Sequence, residues 1–425
     1  MKLALIFYYA KPNRFSFNPL AGALEQAGAF PRLPLYRPKD PAGLRRAIRT
    51  ALRRHDRVVI GFSFATPQLG SVATLVARLR EAFTDRLFWV AGGPHPSADP
   101  EGVLRLGFDL VVRGEGEEAF VEVIARLEAG ADARGVAGAS AFDARGRCRK
   151  TAARPPVDLD RLPPFAPGRG LFGPIEITRG CPYACAFCQT SQLFGRRPRH
   201  RGPKAVAHWA GVMARRGLFD VRFISPDAFS YGSPDGRTIE LAAVRELLVM
   251  VRQAQGPAGR IFFGTMPSEV RPDHVSPAAL RLVREYATND NLVIGAQSGS
   301  QRVLDAAGRG HSVADILSAV KATAKAGFKA NVDFIFGLPG ETGSDLERTV
   351  VLMRRLVAMG ARIHAHSFVP LPQTRYAALP RAVMPERFGA DLARMAAAGV
   401  LYGQWRAQER LARRLAGQPG LAAGR

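Results

Sequence analysis

Cys181, Cys185 and Cys188 lie within one eight-residue stretch of "TRGCPYACAFCQT" (178–190), leaving Cys148 as the only other cysteine. Their C-x3-C-x2-C spacing directly follows the apolar segment "IEIT" and a glycine that lets the backbone turn. Three thiolates on one loop grip three corners of a cubane 4Fe-4S cluster, whereas structural zinc takes four ligands in a closed tetrahedron, usually from paired C-x2-C knuckles. A three-cysteine loop leaves one iron open to a ligand that is not protein. A zinc site completed by Cys148 or His200 is the less favoured alternative.

Such a loop needs a rigid scaffold, and the chain supplies two alternating series. In the first, the apolar runs "KLALIFYY" (2–9), "RVVIGFSF" (57–64), "RLFWVAGG" (86–93) and "FDLVVRG" (108–114) are separated by amphipathic stretches such as "NPLAGALEQAG". Strand-helix alternation with nearly continuous apolar strands predicts a parallel sheet covered on both faces, so residues 1–144 are expected to form a doubly wound, Rossmann-like α/β domain. Residues 145–172 are rich in Pro, Gly and Arg without a period and predict a linker. From 173 to 380 six further strand-helix units follow: "PIEITRG", "FDVRFISPD", "GRIFFGTMP", "NLVIGAQSG", "KANVDFIFGLPG" and "RIHAHSFVPLP". They predict a partial, TIM-like (β/α)6 barrel with its reactive loops at the C-terminal strand ends, the cysteine loop among them. Residues 381–425 predict a helical segment.

The apolar content, 47%, is enough for real cores. No window holds the roughly 18 uninterrupted apolar residues of a membrane span, and the N-terminal "MKLALIFYYAKPNRF" reads as a first strand, not a signal peptide. With its clustered cysteines the chain is expected in the cytoplasm. Net charge is +24, but the arginines are scattered over amphipathic helices such as "LRRAIRTALRRH" (44–55). Nucleic acid is therefore the less favoured partner, and the run "GRRPRHRG" behind the cysteines either grips an anionic substrate or lies in solvent.

"RGCPYACAFCQ" resembles the signature of radical S-adenosylmethionine enzymes, with the aromatic Phe187 before the last cysteine, and the resemblance extends over about 173–375. It implies that the open iron is chelated by S-adenosylmethionine (SAM), which the reduced cluster cleaves to methionine and a 5'-deoxyadenosyl radical. After the second strand, where that family usually carries Gly-Gly-Glu, this chain has "ISPDAFSYGS", offering Ser225 and Asp227. "GAQSGS" resembles the fourth-strand motif and implies Gln297 and Ser298 near ribose or carboxylate. "DFIFGLPGET" resembles the fifth-strand motif and implies that backbone from Ile335 to Gly337 flanks the adenine. Each polar residue among these serves equally well as an ordinary strand-end cap or turn.

In the first domain, small residues gather where strands end, in "GFSFATPQ" (61–68), "AGGPHPSADP" (91–100) and "VRGEGEEAF" (112–120). In a doubly wound sheet those loops line one crevice. The arrangement resembles the cobalamin-binding domain that precedes the barrel in one large class of radical SAM enzymes. The resemblance implies that Ser63, Thr66, Gly92, Gly93, Pro94, Gly114, Glu115 and Gly116 contact the corrin or its nucleotide tail. The cobalt-ligating histidine of D-x-H-x-x-G is absent from "YYAKPNRFSFNPLAG", and His95 is expected to position a loop.

The resemblance implies an enzyme using 4Fe-4S, SAM and cobalamin, foremost a C-methyltransferase acting on an unactivated carbon of a small molecule or peptide, with an external flavodoxin or ferredoxin as electron donor. A cobalamin-dependent rearrangement or cyclisation is the enzymatic alternative. A non-catalytic corrin-binding or sensing protein and an RNA-modifying enzyme are the alternatives of other classes. No residue of the sequence singles out a catalytic acid or base.

Overall fold

The computed structural model describes residues 2–11, 14–30, 32–83 and 86–416, which form two compact units, Met1–Gly173 and Pro174–Arg425. In the first unit β1 (Leu3–Phe7), β2 (Leu35–Tyr36), β3 (Arg57–Ser63), β4 (Leu87–Gly92) and β5 (Leu110–Val112) are parallel, and β6 (Ala139–Phe142) and β7 (Cys148–Lys150) add antiparallel at one edge. The sheet order is β2-β1-β3-β4-β5-β6-β7. Alternate side chains point to opposite faces. Leu3, Leu5, Phe7 and Val59 thus join one core, while Ala4, Ile6, Val58 and Ile60 join another.

Helices Arg14–Gln26 and Glu117–Glu128 cover the first face with Phe17, Leu24, Phe120 and Val123. Helices Pro41–Leu52 and Leu69–Ala82 cover the second with Leu44, Ile48, Val72 and Val76. This is the doubly wound α/β arrangement that the nearly continuous apolar strands demand.

The stretch 145–172 belongs to the first unit, in place of the expected linker. It supplies β7 and buries Val157, Leu159, Phe165, Ala166 and Leu171. Its prolines and glycines exclude regular structure over most of its length but leave these few apolar side chains free to pack against the sheet.

In the second unit β8 (Ile175–Glu176), β11 (Asp220–Ile224) and β12 (Arg260–Phe262) form one parallel group in the order β12-β11-β8. A parallel group of β13 (Asn291–Gln297), β14 (Lys329–Phe336), β15 (Arg362–Ser367) and β16 (Leu401–Tyr402) follows. A parallel bridge from Val270 to Ile294 links the two groups. Between β8 and β11, β9 (Thr178–Arg179) pairs antiparallel with β10 (Arg199–His200). All six expected barrel strands appear. β16 is a seventh that the sequence left within the helical segment from 381.

The helices Pro203–Ala214, Leu241–Gln255, Pro277–Tyr286, Val313–Lys325 and Gly343–Ala358 alternate with these strands. The last two start at capping boxes, Ser312 with Asp315 and Thr342 with Asp345, which satisfy the free N–H groups of the first turn and fix where each strand-end loop stops. β16 and β8 do not pair among the described residues, so the barrel is partial. Among the described residues no helix is long and apolar enough to cross a membrane.

Candidate functional site

The cysteine loop leaves β9 through Gly180, whose φ of +92° only glycine adopts readily and whose Cβ would stand 2.5 Å from the Arg197 carbonyl oxygen. Backbone bonds pin the loop: Cys181 N donates to Gly195 O at 3.1 Å, Ala186 N to Ala307 O at 2.8 Å, and Tyr376 N to Ala186 O at 3.0 Å. Cys185 is buried and Cys181 and Cys188 half-buried, none in a disulfide. Burial pushes the Cys181 thiol up to about 11, with the charges of Cys185 and Cys188 adding to the effect. Cys188 is raised for the same first reason. Cys181 and Cys188 are thus poor nucleophiles at neutral pH. They suit a metal centre, whose positive charge displaces their protons.

One cation already faces the triad. Arg309 Nη1 donates to Cys185 Sγ at 3.5 Å, Nη2 to Gly295 O at 2.6 Å, and Nε to His311 Nε2 at 3.2 Å. Burial, with the Arg309 and Arg271 charges, lowers His311 to about 4, so its ring is neutral and accepts. A Cβ on Gly295 would lie 2.9 Å from Gln297 Nε2, 3.0 Å from Glu269 Oε2 and 3.2 Å from Arg309 Nη2. That glycine is what lets three polar heads meet inside the sheet.

Tyr183, inside the cysteine loop, carries the Arg271 guanidinium 3.4 Å above its ring. Arg271 is 4% exposed, and its Nε and Nη1 have no hydrogen-bond partner among the described residues. These two orphaned donors beside the cluster loop suit a bound carboxylate. On its other side Tyr183 OH lies 3.2 Å from His274 Nε2, and His274 Nδ1 lies 2.5 Å from Asp227 Oδ2. Burial opposes the imidazolium of His274, but the bond and charge of Asp227 outweigh it and raise its pKa.

Of the residues singled out in the sequence, Ser225 and Asp227 form one closed turn. Ser225 Oγ donates to Asp227 O at 2.8 Å, while the Asp227 carboxylate takes the Arg271 N–H at 3.2 Å as well as His274. Gln297 sits at a register shift with φ +74°. Ser298 Oγ accepts from Ser300 N at 3.2 Å. Phe187 and Ile335 pack on one apolar cluster with Ala186, Val303, Ala307, Leu338, Phe368 and Tyr376, a wall suited to a flat ring. Gly337, φ +77°, donates its N–H to Glu341 Oε2 at 2.7 Å.

Sequence reading missed Glu341. Burial lifts it from 4.5 to about 7 against the N–H bonds of Gly337 and Leu338, and its Oε1 has no partner among the described residues. A carboxyl raised on folding contributes its stability at low pH and loses it as pH rises through the folded value. Glu341→Gln keeps one accepting oxygen for Gly337. It is expected to flatten the loss of thermal stability between mildly acid and mildly alkaline pH by about 1–3 kcal/mol. Melting curves on both sides of neutrality check this, and an unchanged slope refutes it.

The basic run behind the cysteines resolves into parts. Arg196 and Arg197 are exposed, Arg199 and His200 form β10, and Arg201, 2% exposed, donates to Glu176 O at 3.1 Å. Both ring nitrogens of His200 are engaged, with Thr178 Oγ1 at 3.0 Å and Ser233 O at 2.8 Å. Cys148 lies on β7 of the first unit.

In the first unit, Ser63, Thr66, Gly92, Gly93, Pro94, Gly114, Glu115 and Gly116 all stand at the C-terminal ends of the neighbouring strands β3, β4 and β5. Gly93 has φ +92°, and its Cβ would meet Ser63 Oγ at 2.7 Å and Phe64 N at 3.1 Å. Gly114 N donates to Ser97 Oγ at 2.9 Å, and Val157 N to Glu115 Oε2 at 3.1 Å. His95 Nδ1 lies 3.0 Å from Thr66 Oγ1, and its backbone N donates to Phe64 O, tying two of the loops together. Burial lowers its pKa, so the ring is neutral. A side chain at Gly93 must break this arrangement. Gly93→Ala is expected to destabilise the protein by about 1–3 kcal/mol in denaturant unfolding.

Two family models match the chain: the Radical SAM superfamily over residues 175–353 and the B12 binding domain over residues 15–124. The chain thus carries a Radical SAM superfamily domain with a B12 binding domain ahead of it. It is 27% identical, over 72% of its length, to an uncharacterized methyltransferase of Pyrococcus horikoshii, of which it covers 66%. It is 30% identical over 56% of its length to the tRNA-2-methylthio-N(6)-dimethylallyladenosine synthase of Ralstonia nicotianae, of which it covers 54%. In fold it resembles the radical S-adenosylmethionine methyltransferase TsrM from Kitasatospora setae, solved with cobalamin and a [4Fe-4S] cluster bound. The TM-score is 0.67 at 18% identity, covering 89% of this chain and 74% of that one. The cobalamin-dependent radical enzyme OxsB gives a TM-score of 0.66 at 15% identity, covering 100% of this chain and 63% of that one.

Proposed function

We propose that this protein is a cobalamin-dependent radical SAM methyltransferase that transfers a methyl group to an unactivated carbon. The observation that carries the reading is a triad of only three cysteines on one loop at the C-terminal edge of a partial barrel, in a chain that also gathers glycines at the C-terminal strand ends of a B12 binding domain. Bound together, the 4Fe-4S cluster, SAM and cobalamin supply a 5'-deoxyadenosyl radical and a transferable methyl group.

The chain's own residues bind and orient. Cys181, Cys185 and Cys188 hold three irons, and Arg309 offsets their negative charge. Arg271 offers its two free N–H groups to the SAM carboxylate, and Gln297 and Ser298 border the same ligand. Phe187 and Ile335 give the adenine an apolar wall that also keeps water from the radical. In the first domain Gly92, Gly93, Gly114 and Gly116 let a corrin approach the backbone, with Ser63, Thr66, Pro94 and Glu115 around it. A flavodoxin or ferredoxin supplies the electron.

The test is anaerobic reconstitution followed by iron, sulfide and corrin analysis, then assay for 5'-deoxyadenosine and S-adenosylhomocysteine. Methylation through a radical yields both. Iron without corrin uptake, when cobalamin is supplied, removes the methyl-transfer reading. 5'-Deoxyadenosine without S-adenosylhomocysteine turns it into a rearrangement.

A further inference from the structure

Inside the second unit, three lone-pair-bearing side chains converge on strands β14 and β15. Asp333 on β14 is the register partner of His364 on β15, and His366, two residues on, projects from the same strand face. His364 Nδ1 lies 3.0 Å from Asp333 Oδ1 and 3.2 Å from His366 Nε2, and the three ligand atoms all lie within 4.8 Å of one another. Asp333 is 5% exposed and both histidines are half-buried.

Proton counting shows that these contacts conflict. A ring nitrogen has either a proton or a lone pair. His364 Nδ1 therefore cannot donate to the Asp333 carboxylate and accept from His366 at the same time. Behind His366, the Gln408 Oε1 takes the Ser367 N–H at 2.9 Å, which turns the Gln408 amide nitrogen toward His366 Nδ1 at 3.3 Å. That contact places the His366 proton on Nε2, aimed at His364 Nδ1, whose lone pair then faces a carboxylate oxygen. One positive centre among the three atoms removes the conflict: either a proton held on Asp333 or a metal ion.

We propose that the centre is a divalent first-row transition-metal ion, bound by Asp333, His364 and His366. Donors about 2.0–2.2 Å from a common ion stand roughly 3 Å or slightly more from one another, as the two measured separations do. Two imidazoles and one carboxylate favour Zn(II), Fe(II) or Co(II) over Mg(II) and Ca(II), which prefer all-oxygen sets. The surroundings are those of a supported site. The Tyr402 ring stacks on His364 at 4.6 Å and 11°, and Gln408 backs His366. Binding shifts the His366 proton from Nε2 to Nδ1, and the Gln408 amide turns to accept it with its oxygen. Three protein ligands leave further positions on the ion open to an oxygen or nitrogen of a substrate.

The test needs neither SAM nor corrin, so it succeeds or fails independently of the proposed reaction. Full-length Cys181→Ala/Cys185→Ala/Cys188→Ala protein, stripped with chelator under anaerobic conditions, is titrated with Co(II). The expected result is one tightly held equivalent with visible d–d absorption, lost or weakened about 10–100-fold by a further His364→Ala or Asp333→Asn. If the triple variant does not fold, the unaltered apo-chain serves. Co(II) on the cysteines then shows thiolate charge-transfer bands in the near ultraviolet, which the Asp-His-His site lacks. Absence of any Co(II) or Zn(II) bound apart from the cysteines overturns the proposal in favour of a proton on Asp333, as does binding that His364→Ala leaves unchanged.

Discussion

Cys181→Ala, Cys185→Ala and Cys188→Ala, each reconstituted anaerobically, are expected to lose the iron-sulfur absorption and to form no 5'-deoxyadenosine above background, while Cys148→Ala retains both. The asymmetry follows from where the cysteines stand. The three loop thiols share one turn whose backbone is fixed at Cys181 and Ala186, so two survivors cannot regroup around a cubane. His200, the histidine weighed as a substitute ligand, has both ring nitrogens engaged. Burial holds Cys181 near 11 and Cys188 above its ordinary value, and only a metal core makes thiolates of them at neutral pH. The loss should therefore be all or nothing, read by iron and sulfide content and by product. A loop variant that kept its iron and cleaved SAM would remove the cluster assignment and the proposed reaction with it.

The parts that the sequence displays openly are those governed by local pattern. Nearly continuous apolar runs identified four of the five parallel strands of the first sheet, because strands buried on both faces leave no polar alternation to misread, and the strand-helix alternation identified all six expected strands of the second unit. β2 and β16 have two residues each, too short for any period. β7 reads as part of a linker because "RGRCRK" is polar on both sides: an edge strand has little to bury.

The candidate site divides in the same way. The cysteine triad is written in consecutive residues and needs no fold to be seen. The groups around it come from loops far apart in the chain. Arg309 and Arg271 look like two more arginines among many, and only Gly295, with no Cβ to block the approach, reveals why one reaches Cys185. Asp227 illustrates the converse. Its position after the second barrel strand marks it as a ligand candidate, and its carboxylate also meets His274 and the Arg271 backbone N–H. Spacing in sequence does not report which hydrogen bonds a carboxylate already makes. "HAHS" carried the Asp333 partners in plain sight at the period of a strand. Without the parallel register that sets Asp333 opposite His364, two alternating histidines had no chemistry to join.

Arg309→Met should make the cluster harder to reduce without removing it. The half-buried guanidinium lies within reach of Cys185 Sγ, held by Gly295 O and His311. A partly buried cation that also donates to a cluster sulfur favours the added electron over its absence. Methionine fills similar volume and supplies neither charge nor donor. A partner of this kind around a metal is commonly worth 10–100-fold, which for one electron corresponds to a potential lower by about 60–120 mV. The variant should hold full iron and sulfide but give a weaker reduced-cluster EPR signal with a donor of fixed potential, and SAM cleavage should fall in proportion. Arg309→Lys restores the charge without the three-way fork and should recover part of the potential. A merely structural role predicts a different pattern, with iron lost in both variants and an unchanged potential in whatever cluster remains.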